Sequence, residues 1–246
     1  MSTPIEAAPE PADAQESRGA FPPAFRRLMA NSLVAGVTST FLWFALTFWV
    51  YLETRSVVAT GVIGGTFSLV AAVVGPLIGT YVDHHRKHTS LVLTSGMAAV
   101  SFAVATVVFY SVDADELLQL DGPWFWLLVA STLMGSVAGN ARAVVLATCV
   151  TILVPARHRD RANGVVGTVT GVSFAITSVF SGIVIGSVGM GWAYLIALVL
   201  TVGALVHVTT IRFDEPEPQP RDATSGNSVF DIRGAIEAIR SVPGLG

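Results

Sequence analysis

Charge in this chain is confined to short clusters. Between them the sequence runs uncharged for lengths that match the thickness of a lipid bilayer. Arg27 and Glu53 bracket one such interval, Arg55 and Asp83 a second, Lys87 and Asp113 a third, Asp121 and Arg142 a fourth. Each approaches or exceeds the roughly 20 residues with which an α-helix crosses about 30 Å of hydrocarbon. A fifth interval, from Arg161 to Arg212, is long enough for two crossings, with a glycine-rich turn at Gly186-Ser187-Val188-Gly189-Met190-Gly191. The reading is an all-α integral membrane protein, a bundle of six transmembrane helices over approximately Leu33–Leu52, Val57–Val82, Ser90–Val112, Phe125–Leu146, Val165–Ile185 and Trp192–Ile211.

Composition supports lipid as the solvent. Only 13% of the 246 residues are charged and 52% are hydrophobic, whereas a soluble domain carries about 25% charged residues to hydrate its surface. Barrel strands alternate apolar and polar side chains over about ten residues. A run such as Leu195-Ile196-Ala197-Leu198-Val199-Leu200 is apolar on every side, so helices fit and strands do not. A net charge of -3 without a basic face excludes a nucleic-acid partner. Cys149 is the single cysteine, so an intrachain disulfide is impossible. No catalytic group, metal-ligand set or cofactor is assigned.

Three regions follow: a disordered cytoplasmic tail over residues 1–27, the six-span bundle over 28–212, and a cytoplasmic linker with an interfacial helix over 213–246. The tail is rich in Ala, Pro and Glu, too polar to offset the entropy of ordering. In the last region Ser228 and Asp231 form a capping pattern. Ile232, Ile236 and Ile239 then share one face and Arg233, Glu237 and Arg240 another, as in a helix lying at a membrane surface.

Basic residues in short loops mark the cytoplasmic side of a membrane protein. With the N-terminus inside, Arg26, Arg27, Arg86, Lys87, Arg157, Arg159, Arg161 and Arg212 are all cytoplasmic, and Arg55 alone lies outside with Glu53, Asp113, Asp115, Glu116 and Asp121. The expected location is the plasma membrane. Trp49, Tyr51, Tyr110, Trp124, Trp126, Trp192 and Tyr194 gather at the outer span ends, as an aromatic belt at the headgroups would. Trp43 lies deeper, where it either lines a cavity or faces lipid.

Apolar helices in lipid associate by close packing, which small residues four apart permit. Gly75 with Gly79, Gly135 with Gly139, Gly167 with Gly171 and Gly182 with Gly186 have that spacing and are expected at helix contacts. Pro76 removes a backbone bond within the second span. Ionisable or amide groups at membrane depth are functional candidates. Arg142 is the one cation there, able to meet substrate, to pair with a carboxylate or to snorkel to the headgroups. Asn31 and Asn140 are candidates for cavity lining or interhelical hydrogen bonds, and His207 for a structural role.

The segment between spans two and three reads Gly79-Thr80-Tyr81-Val82-Asp83-His84-His85-Arg86-Lys87. It resembles the signature loop of the major facilitator superfamily: a glycine, three residues, an aspartate, then basic residues. His85 stands where that loop has a further glycine. The resemblance implies that Gly79 allows close helix contact and that Asp83, with Arg86 and Lys87, holds one state of a gate. A carboxylate near a helix N-terminus and cations gains about 1 kcal/mol, a size suited to a gate that must reopen.

Asn140-Ala141-Arg142, Val154-Pro155 and Arg161-Ala162-Asn163-Gly164 are similar to the drug-exporter, macrolide-efflux-like members of that superfamily. The glycine-rich fifth span is similar as well, without the usual Gly-Pro pair. The family is built from two six-helix halves with the substrate between them, and the resemblance implies that this chain is the N-terminal half, expected to end before a seventh span. The resemblance implies a secondary transporter that exports small amphipathic molecules by alternating access, as an antiporter. Its partners would be the bilayer, a small-molecule substrate and a second six-helix half.

Other classes are weaker. An intramembrane serine protease needs a serine flanked by glycines and a histidine on another helix. Gly171-Val172-Ser173 is followed by Phe174, with only His207 to serve it. A nucleotide-driven pump needs a P-loop, which is absent. A partner-dependent half-transporter or scaffold remains the alternative to transport.

Overall fold

The computed structural model describes residues 21–212, with residues 76–84 described as backbone only. Six helices in this range are long and apolar enough to span a membrane: α1 Pro23–Thr54, α2 Val57–His84, α3 Lys87–Ser111, α4 Pro123–Leu153, α5 Arg159–Ser187 and α6 Gly189–Thr210. One helical turn, Ala114–Leu117, joins α3 to α4, and a 3-10 turn, Ala156–His158, joins α4 to α5. No strand occurs among the described residues. Helices satisfy their backbone polar groups internally, which a water-free bilayer core demands.

The ends are set by local chemistry. Pro23 and Pro123 open α1 and α4, where a missing N–H costs nothing and the fixed φ suits the first turn. Ser56 caps α2, its Oγ accepting from the Ala59 N–H at 3.1 Å. Between α5 and α6 the chain reverses through Val188 and Gly189, the latter at φ +82, a conformation that favours glycine. Arg55 closes α1 at φ 54, where glycine is usual. Arg55→Gly should therefore raise stability by about 0.5–1 kcal/mol, read as a higher denaturation midpoint in detergent; a lower midpoint would mean that the arginine side chain compensates for its backbone.

α1 lies at the centre, in contact with α2, α4, α5 and α6, while α3 packs on α4 and α6. The core falls into two apolar clusters. At the end carrying the basic residues, Phe25, Leu28, Leu91, Val150, Ala162 and Val208 meet. At the end carrying the acidic ones, Leu42, Leu46, Phe102, Phe125, Leu128 and Tyr194 meet. Outward-facing Val58, Leu69, Val100, Phe180 and Val199 are exposed, an apolar mantle suited to lipid.

All six spans lie where the charge-free intervals place them, but several helices run past those limits. α1 begins at Pro23, so residues 23–27 belong to the bundle and not to the tail; Phe25 is buried and stacks on Phe21 at 4.9 Å between ring centroids. α4 continues to Leu153 and α5 begins at Arg159. A charge marks where hydrocarbon ends, and a helix is free to continue into water. The interfacial helix of 228–240 lies outside the described residues.

Two aromatic assignments need correction. Tyr51, Tyr110, Trp124, Trp126 and Trp192 are exposed at the acidic end, but Trp49 and Tyr194 are buried within the bundle. The Tyr194 hydroxyl lies 2.8 Å from Thr132 Oγ1. Trp49 meets Phe109 edge to face.

The glycines divide as well. A Cβ on Gly135 would fall inside 3.0 Å of the Phe102 ring, and one on Gly139 inside 3.0 Å of Ser39. Gly75, Gly167, Gly171, Gly182 and Gly186 have no neighbour within 4 Å of the same position among the described residues. Gly167, Gly171, Gly182 and Gly186 are exposed and Gly75 is half-buried, and no helix contact falls on any of the five among the described residues. Spacing by four puts two glycines on one face without saying what that face meets.

Candidate functional site

Between the two apolar clusters lies a polar layer built around Arg142. The residue is 4% exposed; it does not snorkel. Its Nη1 donates to Ser95 Oγ of α3 at 2.5 Å and its Nη2 to Asn31 Oδ1 of α1. Asn31 is itself 1% exposed and donates from Nδ2 to the Ala204 carbonyl of α6 at 2.8 Å, with His207 Nδ1 of α6 at 3.1 Å from the same nitrogen. A guanidinium has no lone pair, so the shared oxygen of Asn31 must accept. The amide is thereby oriented, with its nitrogen toward α6. If that nitrogen also donates to His207, the imidazole accepts at Nδ1 and carries its proton on Nε2. Four helices are tied through two side chains.

Among the described residues none of the groups bonded to Arg142 is acidic, and its charge is solvated there by neutral dipoles. Its Nε has no hydrogen-bond partner among the described residues. Beside Arg142 a cavity of about 260 Å³ opens among α1, α2, α4 and α5, lined by Ser32, Ser39, Trp43, Phe67, Arg142 and Phe174 among others. Asn140 also lines it and is exposed. Ser32 Oγ and Trp43 Nε1 are buried and, like Arg142 Nε, unpartnered among the described residues. Aromatic rings form the apolar wall: Trp43 and Phe67 lie 5.2 Å apart by centroid, and Phe44 meets Phe174 edge to face at 5.3 Å.

Of the candidates, Trp43, Asn140 and Arg142 come together here. Asn31 does not line the cavity; it holds Arg142 from behind, because its amide is consumed by the guanidinium and α6. Asp83 lies in the last turn of α2, with Arg86 and Lys87 just after it and Gly79 one turn before it. Ser173 Oγ donates to the Val169 carbonyl at 2.8 Å, and His207 is engaged with Asn31 on the far side of Arg142. The two are not brought together as nucleophile and base.

Ser32, Ser39, Ser95, Phe67 and Phe174 are missed by sequence reasoning. A signal for some of them exists: Ser32, Gly36, Ser39, Thr40 and Trp43 recur at helical spacing along the first span. One polar stripe on an otherwise apolar helix marks the face that avoids lipid.

A family model described as Major Facilitator Superfamily matches residues 28–245. A search of curated proteins finds no match.

Proposed function

The chain belongs to the major facilitator superfamily and is a membrane transporter, and on that premise we propose that it exports small amphipathic molecules by alternating access. The supporting observation is the cavity beside Arg142. Its lining combines three residues that each carry a buried, unpartnered donor atom, Ser32, Trp43 and Arg142, with an aromatic wall, the combination that suits a molecule with one polar end. The proposed arrangement has the N-terminus and the basic end of the bundle in the cytoplasm of the plasma membrane, and the open faces of α2 and α5 against lipid or a second six-helix half.

Asp83 is the proposed gate residue. In the last turn of α2 it meets the negative end of its own helix dipole, an unfavourable place for a carboxylate. The proposed gate is an interaction of Asp83 with the cations Arg86 and Lys87, which follow it in sequence, made in one state and lost in the other, a difference of about 1 kcal/mol. Gly79, one turn earlier, is the proposed site of close helix contact in that state.

Dye retention tests this reading. An efflux-deficient host expresses the chain with a six-helix partner half and is loaded with neutral Nile red, cationic ethidium or anionic carboxyfluorescein. Retention of at least one dye should fall several-fold, and Asp83→Asn should restore most of it without lowering the amount of protein in the membrane. Unchanged retention of all three dyes at normal expression overturns export. Full export by the Asp83→Asn chain removes Asp83 from the gate.

A further inference from the structure

We propose that the cavity beside Arg142 takes a small organic anion, an aromatic body carrying one carboxylate, in preference to a neutral or cationic molecule of the same shape. This rests on the reading of the cavity as the substrate site and names the chemical class it selects.

Three observations carry it. The first is a buried cation with no counter-charge among the described residues. Arg142 meets Asn31 and Ser95, both neutral, and no acidic residue lines the cavity among the described residues. An arginine at membrane depth is costly unless paired, and the position left open for a pairing anion is the cavity itself. A cation entering there would meet the guanidinium unscreened.

The second is the sense of the free hydrogen-bonding groups. Arg142 Nε and Trp43 Nε1 only donate, and Ser32 Oγ is able to donate. Several other hydroxyls at the cavity donate to backbone carbonyls: Ser68 to Gly64, Thr170 to Val166, Ser173 to Val169, and Ser136 to Thr132 or Ser39. Unpartnered buried donors call for a ligand that accepts, and a carboxylate accepts through both oxygens. Charge-assisted bonds of this kind are about twice as strong as neutral ones.

The third is the aromatic wall. Trp43, Phe67 and Phe174 offer ring faces and edges, suited to a planar apolar body. An anionic lipid headgroup would share the carboxylate's charge; the small volume and aromatic wall favour a compact free molecule.

The test uses the full chain in nanodiscs of phosphatidylcholine, with binding measured by equilibrium dialysis of three naphthyl compounds: 1-naphthylacetate, 1-naphthylacetamide and 1-naphthylmethylammonium. The acetate should bind at least about 10-fold tighter than the other two. Arg142→Gln should reduce that preference to within about 2-fold, while Trp43→Phe, which keeps a ring and removes one donor, should weaken the acetate alone by about 3-fold. Trp43→Phe and Ser32→Ala keep the test available if Arg142→Gln fails to fold.

Equal binding of all three compounds, sensitive to Trp43→Phe, overturns the anion preference and leaves the cavity as a substrate site. Absence of binding, or binding that no cavity substitution alters, overturns both the preference and the substrate-site reading. Adding phosphatidylglycerol to the nanodisc separates the two sources of anion. Unchanged acetate affinity supports a free carboxylate, and displacement by the lipid makes this a headgroup site and overturns the proposal.

Discussion

Asn31→Leu lowers the stability of the bundle by about 3 kcal/mol, more than any neutral interhelical hydrogen bond would account for. Neutral side-chain bonds between membrane helices average about 0.6 kcal/mol, because separated helices find other partners in the bilayer. Asn31 differs in what it solvates. Its carbonyl oxygen accepts from the buried guanidinium of Arg142 while its nitrogen reaches the Ala204 carbonyl. When α4 is separated from its neighbours, the long arginine side chain reaches the headgroups and is hydrated there. In the assembled bundle it cannot, so the loss of Asn31 falls on the folded state alone.

A double-mutant cycle isolates that term. Arg142→Met removes the cation and keeps an unbranched apolar side chain, and replacing a buried charge by an apolar group of similar volume is often neutral. Asn31→Leu combined with Arg142→Met should return to within about 1 kcal/mol of the parent. The cycle is read from unfolding of the four proteins in mixed micelles. Should Asn31→Leu cost less than about 1 kcal/mol, or cost the same with and without Arg142, the polar layer contributes little and the guanidinium is solvated by something other than Asn31.

What the sequence made legible was the solvent, and what it hid was the partner of each face. Six spans followed from the intervals between Arg27, Glu53, Asp83, Lys87, Asp113, Asp121, Arg142, Arg161 and Arg212, because lipid forbids unpaired charge whatever the tertiary arrangement. The ends were less legible. Beyond the hydrocarbon a helix is limited by local capping, as at Pro23 and Arg55, and not by charge. Arg142 stands in the same sequence context whether it snorkels or is buried, and the outcome depends on α1 and α3 presenting Asn31 and Ser95 to it. Trp49 and Tyr194 have the amphipathic character of belt residues, but their helices turn them inward. In spans apolar on every side, apolar periodicity carries little information. The polar stripe from Ser32 to Trp43 carried more, since a helix exposes hydroxyls to lipid only at a cost.

Gly139→Val should destabilise the bundle by about 3 kcal/mol, and the reason is where the collision falls. A Cβ on Gly139 meets both the Oγ and the Cβ of Ser39, inside 3.0 Å. The hydroxyl is free to rotate away; the Ser39 Cβ moves only with the backbone of α1. α1 also holds Asn31 against Arg142, so separating it from α4 disturbs the polar layer along with the local packing. Gly139→Ala should cost about 2 kcal/mol, and Ser39→Gly in the same chain should recover at least half of that by moving the vacancy to the other helix. Gly167→Ala is the control on an open face, where no neighbour lies within 4 Å. It should be neutral or stabilising by up to about 1 kcal/mol through helix propensity. Equal losses at Gly139 and Gly167, or no recovery with Ser39→Gly, would show that glycine matters here for backbone flexibility and not for the approach of α1 to α4.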